Sequence, residues 1–222
     1  MKSLRIACAL SVIITLCGCI RIEVIDENRP SLLRQPVDTN AVAVGLSMKL
    51  KLLFGSARIE GAYLVRLDDK EDTLKQDRLI LADTLSNGYV YLLNAQPGRY
   101  AVVAVMYPYR FSKQVIYLMP KSLVQQTVTT VAPGTIGYLG DYEVEGSGIG
   151  SEGGDDDIEK HYFHLLSAKP VANPPKFVAH PLNSARDEQS EKQFLKYTDE
   201  MLLKGHGGGW STWIQQQLQI QH

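Results

Sequence analysis

A run of alternating side chains constrains this chain most. From Ala41, the residues Val42, Val44, Leu46, Met48, Leu50 and Leu52 fall on one face of an extended backbone, and Ser47, Lys49 and Lys51 fall on the other. A period of two marks a strand with one face in a core and one outside it. The pattern recurs between turns. After Gly55-Ser56, the residues Ile59, Tyr63, Val65 and Leu67 form a second strand with Glu60 and Arg66 opposite. A charged loop covers 68–77, a short strand 78–82, and Ser86-Asn87-Gly88 turns the chain into a strand over 89–93. Ala95-Gln96-Pro97-Gly98 turns it again into a valine-rich strand over 99–107, and 115–119, 123–131 and 135–144 read as further strands. Beyond an acidic glycine loop, 158–166 reads as the last. Short strands between turn residues, with no helix-period stretch among them, predict a mainly β fold, an antiparallel β-sandwich of about 7–9 strands with one face of the sheet open to water.

The chain before the strands is of another kind. Lys2 and Arg5 precede an uncharged apolar stretch, Ile6 to Leu16, too short to cross a bilayer as a helix. It ends in Leu16-Cys17-Gly18-Cys19, and all three cysteines, Cys8, Cys17 and Cys19, lie in this region. The tetrapeptide resembles the lipobox of bacterial lipoproteins, with Cys17 an uncommon second residue. The resemblance implies a signal peptide over 1–18 and a lipidated Cys19 carrying diacylglycerol and an N-linked acyl chain such as palmitate. An ordinary secretory signal fits less well, because no A-x-A-like site follows and Leu16 before Cys17 is a poor residue at a cut. Each buried methylene is worth about 0.8 kcal/mol, so two or three acyl chains hold where one is marginal. Ile20, in place of the Asp that retains enterobacterial lipoproteins in the inner membrane, implies the outer membrane.

With Cys8 and Cys17 removed and Cys19 acylated, the mature chain has no thiol. Disulfides, thiol nucleophiles and Cys-ligated metals are excluded, and stability rests on packing. Loss of Lys2 and Arg5 leaves 21 basic residues against 24 acidic ones. That balance gives no basic surface for nucleic acid, and no second apolar span follows. Residues 19–40, broken by Pro30 and Pro36 and several charges, read as a tether able to reach roughly 70 Å extended or about 25 Å as a coil.

Two segments carry a more specific likeness. Asn87-Gly88-Tyr89-Val90-Tyr91-Leu92-Leu93-Asn94-Ala95-Gln96-Pro97-Gly98-Arg99-Tyr100 resembles the aromatic, Pro-Gly, Tyr hairpin of transthyretin-like (prealbumin-like) sandwiches, including carboxypeptidase-regulatory-like domains. Val131-Ala132-Pro133-Gly134, running on to Tyr138-Leu139-Gly140-Asp141, is similar to a segment of small envelope lipoproteins with such domains. The resemblance covers 41–168 and implies a fold and an envelope location. It transfers no catalytic residue and no cofactor.

After Ser167 the composition shifts. Pro170, Pro174, Pro175 and Pro181 mark an extended crossing segment over 169–183. Over 184–222, Ser184 with Asp187 predicts a capped helix running to about Lys204, stopped by Gly205, and Ser211 a short final helix over 212–218. One or two C-terminal helices are therefore expected to cover a face or edge of the sheet.

The motifs that suggest chemistry fail on context. Gly148-Ile149-Gly150-Ser151-Glu152-Gly153 matches a dinucleotide fingerprint, but three aspartates and a predicted strand follow it where a helix N-terminus is needed. Asp155-Asp156-Asp157 lacks the alternating spacing of a calcium loop and reads as a solvated acidic tip. His161 and His164 point to opposite faces of a strand. His206-Gly207-Gly208-Gly209 resembles an esterase oxyanion loop, but no G-x-S-x-G elbow precedes it. Tyr107, Tyr109 and Arg110, near Tyr117 and Lys113, and the Trp210–Trp213 segment carry residue types favoured at interfaces, against the plainer reading that they pack. These readings lead to a non-enzymatic, lipid-anchored envelope lipoprotein that uses its sandwich to bind a protein or glycan, with no catalytic, metal or cofactor site. The alternative is a lipid-anchored hydrolase with dispersed carboxylates or histidines.

Overall fold

The computed structural model describes residues 40–67, 74–86, 88–109, 113–150, 153–169, 173–200 and 209–220. The signal, Cys19, nearly all of the tether, Arg110 and His206 lie outside them. The described strands are β1 (Val42–Lys51), β2 (Ser56–Arg58), β3 (Gly61–Leu67), β4 (Leu79–Ala82), β5 (Thr84–Ser86), β6 (Tyr89–Ala95), β7 (Gly98–Tyr109), β8 (Lys113–Leu118), β9 (Thr129–Val131), β10 (Ile136–Gly148) and β11 (Phe177–Ala185). The helices are α1 (Lys121–Thr127), α2 (Asp157–Ser167), α3 (Glu188–Thr198) and α4 (Gly209–Ile220). The fold is mainly β, sandwich-like, with helices at the C-terminus.

The strands follow the order β4-β3-β7-β8-β11-β10-β1-β6-β5, with β2 also on β1 and β9 also on β7. A short contact, Phe177 beside Tyr117 and Val178 beside Leu118, joins β11 to β8 in parallel. β1 and β10 also run parallel, from Ala43 beside Ile136 to Leu50 beside Val144. The sheet is therefore mixed rather than wholly antiparallel. For the β1–β10 pair the cause lies in the two Pro-Gly turns. Neither closes a hairpin: β6 pairs with β1 while β7 pairs with β3, and β9 pairs with β7 while β10 pairs with β1. Each Pro-Gly carries the chain to a new partner. Gly98 and Gly134 take φ of 153° and 72°, which favour glycine at both corners.

The core explains the alternation and its limits. Val42, Val44, Leu46, Met48 and Leu50 join Leu64, Val102, Val105, Leu139 and Val144 in the main cluster. The opposite face of β1 is not wet. Ala41, Ala43, Tyr91, Ile136 and Tyr138 form a second cluster with Phe194 and Leu195 of α3 and Trp210 and Ile214 of α4. The C-terminal helices thus cover this face of the sheet, as expected of them.

Four segments differ from their sequence reading. Over 123–131 the first part is helix, because Leu123, Val124 and Thr127 share one buried face and the Thr127 hydroxyl accepts the Val102 N–H at 2.9 Å. Residues 158–166 are helix, not strand. Asp156 caps α2 by accepting the Ile158 N–H at 2.7 Å, and Ile158, Tyr162 and Leu166, four apart, are its buried apolar residues. The proline-rich crossing segment contains most of β11, which pairs with β10 along most of its length. The cap of α3 is Asp187, not Ser184, in a reciprocal box with Ser190.

Candidate functional site

Strand β4 ends one side of the strand order and β5 the other, and β4 comes back against β6 without pairing to it. A cleft of about 410 Å³ lies there, lined by Arg66, Gln76, Arg78, Ile80, Leu92, Leu93, Asn94, Ala95, Gln96 and Tyr100. It sits at the end of the fold where Val42 lies beside Ala95, close to both Pro-Gly corners.

The polar groups of this cleft are tied to one another and to the backbone. Arg66, exposed on β3, donates from Nη1 to Gln96 Oε1 at 2.7 Å. The Gln96 carbonyl accepts the Tyr100 hydroxyl, so one glutamine ties the corner to both β3 and β7. Gly98 makes this possible: a Cβ there would stand 2.7 Å from Arg66 Nε. Burial pushes the Tyr100 phenol up, and the Arg66 charge partly offsets this. On the other side the Gln76 N–H donates to Tyr162 Oη at 3.2 Å, and the Gln76 carbonyl lies 3.1 Å from His161 Nε2. The segment leading into β4 is thereby pinned to α2. Asn94 has φ of 55° and is the one non-glycine residue with positive φ among the described residues. Such backbone states persist where the surroundings enforce them.

A second polar contact lies across β10 and β11. Ser147 Oγ is 2.6 Å from His180 Nε2, both exposed. Glu145 stands opposite His180 in register. A serine nucleophile also needs an oriented histidine and an oxyanion pocket, and this pair lies on an open strand surface.

The residues singled out in the sequence fall as follows. Tyr107 and Trp210 are each 1% exposed, so the packing reading holds for both and neither offers a partner surface. Tyr107 stands edge-on to Tyr117, which stacks on Phe177. Trp210 directs its indole N–H at the Ala41 carbonyl, 3.5 Å away. Trp213 is half-buried against the second cluster, and Tyr109 ends β7 beside Lys113. Helix α2 does follow the glycine run, but Asp156 caps it and Asp157 and Glu159 fill its first turn, so its N-terminus repels phosphate. The aspartate run is therefore a helix start, and no cluster of metal-ligating side chains occurs among the described residues. His161 and His164 share a helix, but His161 faces Gln76 and Asp77 while His164 is exposed.

Sequence reasoning does not find the cleft. Arg66 reads as an outward charge and Gln96 as a turn residue, and only the meeting of β3, β4 and β6 gives them a common purpose. No family model, no curated protein and no solved structure matches the chain. Among the described residues, no helix is long and apolar enough to cross a membrane.

Proposed function

We propose that this chain is a lipid-anchored, non-enzymatic lipoprotein of the bacterial cell envelope. It is held to the outer membrane through Cys19, and its transthyretin-like sandwich binds a glycan or protein of the envelope. The anchor and the location rest on Leu16-Cys17-Gly18-Cys19 and Ile20. The binding reading rests on one observation: the seam cleft is lined by guanidinium, carboxamide and apolar groups, a donor-rich lining suited to holding a polar ligand.

The competing hydrolase reading has one feature in its favour, the Ser147–His180 contact. Equilibrium dialysis of the full chain against soluble envelope glycan fragments separates the two. Saturable retention with the ligand recovered unchanged is the expected result, together with no labelling of Ser147 by a fluorophosphonate. Turnover of the glycan, or labelling of Ser147 that His180→Ala abolishes, overturns the binding reading.

A further inference from the structure

We infer that the seam cleft takes a small ligand bearing an oxyanion, a carboxylate or a phosphate on a sugar-sized body, and that Arg66 and Arg78 are its charge-pairing groups. This rests on the binding-module reading and names the ligand class for it.

The lining sets the sign. Arg66 and Arg78 both line the cleft, and among the described residues that line it none is an acid or a histidine. The acid nearest in sequence, Asp77, lies 3.6 Å from His161 Nε2, on the α2 side. A guanidinium carries five N–H donors, and Arg66 gives one of them to Gln96. Arg78 has no hydrogen bond or ion pair among the described residues. Two cations brought to one concave site repel each other, and an anion between them removes that penalty. Planar forks also match the geometry of carboxylate and phosphate oxygens.

The rest of the lining sets the size and the body of the ligand. About 410 Å³ is at the small end of ligand pockets. Ile80, Leu92 and Ala95 give the cleft apolar surface, and Gln76, Asn94 and Gln96 line it as carboxamide residues. Arg66 is held in place before any ligand arrives, by Gln96 and by the space that Gly98 leaves. Such preorganisation reduces what ordering costs on binding.

Calorimetric titration of the full chain at low ionic strength tests this with three probes: glucuronate, glucose 1-phosphate and glucose. At least one anionic sugar should bind saturably, glucose should not, and added salt should weaken the binding. Arg78→Gln should lower affinity by about tenfold or more, and Arg78→Lys should recover part of it. Arg78 is exposed and makes no hydrogen bond or ion pair among the described residues, so its variants should melt like the parent. Preference for glucuronate assigns the carboxylate, and preference for the sugar phosphate assigns the phosphate. Glucose binding as tightly as either anion, no saturable binding of any probe, or an Arg78→Gln variant that binds unchanged overturns the inference. If neutral glycans are still retained intact in dialysis, only the ligand class fails and the binding-module reading stands.

Discussion

The ring of Phe194 occupies the space where a side chain on Gly45 would begin: a Cβ built on Gly45 lies 2.7 Å from two of its carbons. Phe194 is fully buried, stacked on Tyr91 and Tyr138. Here the C-terminal helices lock onto the sheet. Gly45→Ala forces that ring out of a packed site and should destabilise the protein by about 1–3 kcal/mol. Combining it with Phe194→Leu should cost less than the sum of the two changes, because the two residues share one space. Additive losses in chemical denaturation would show that the ring does not depend on Gly45.

The Tyr91 hydroxyl and Thr198 Oγ1 are 2.8 Å apart, and Thr198 in turn donates to the Phe194 carbonyl at 2.8 Å. Burial pushes the Tyr91 phenol well above its ordinary range. Thr198→Val leaves that phenol buried with no acceptor and should cost about 1–3 kcal/mol. Adding Tyr91→Phe removes the orphaned group and should restore part of the loss. Equal destabilisation of single and double variants would contradict this.

Glu159 is buried at the start of α2, and burial, then the nearby Asp156 and Asp155, raise its carboxyl above the ordinary value. A raised folded pKa favours the protonated carboxyl. Its contribution is fully present below the unfolded value and is lost as pH rises through the folded one. Glu159→Gln stays neutral throughout. Its Tm relative to the parent should therefore climb as pH rises from acid to neutral, and a constant difference across that window would refute the reading.

At the tip of the β1–β2 hairpin, Leu53 and Phe54 are 97% and 96% exposed. The turn is closed by the Leu52 N–H donating to the Gly55 carbonyl at 3.0 Å, with Gly55 at φ of 94°. Among the described residues, nothing packs on these two side chains. The double change Leu53→Ser, Phe54→Ser should shift stability by no more than about 0.5 kcal/mol and reduce self-association in sedimentation analysis. A large drop in Tm would mean the tip is held by contacts.

What the sequence makes legible follows from local physics. The strand pattern of β1 is readable because its core residues recur at every second position. The same strand's second buried face is not, since Ala41, Ala43 and Gly45 are too small to announce burial, and their cover comes from helices far along the chain. The acids at 155–157 look like a solvated tip because a cap and a surface loop use the same residue types. Both Pro-Gly turns are visible, but a turn does not say whether it returns to a neighbour or moves to another strand. For that reason the mixed sheet, and with it the cleft between β4 and β6, is hidden. Arg66, Arg78 and Gln96 acquire a shared role only through that topology.

Presentation of the cleft from a membrane presupposes attachment at Cys19. Metabolic labelling with radioactive palmitate, on the parent and on Cys19→Ala, tests this most directly. A labelled, processed parent and an unlabelled, uncleaved variant are expected. A variant that still takes up palmitate, or a parent that never does, contradicts attachment at Cys19.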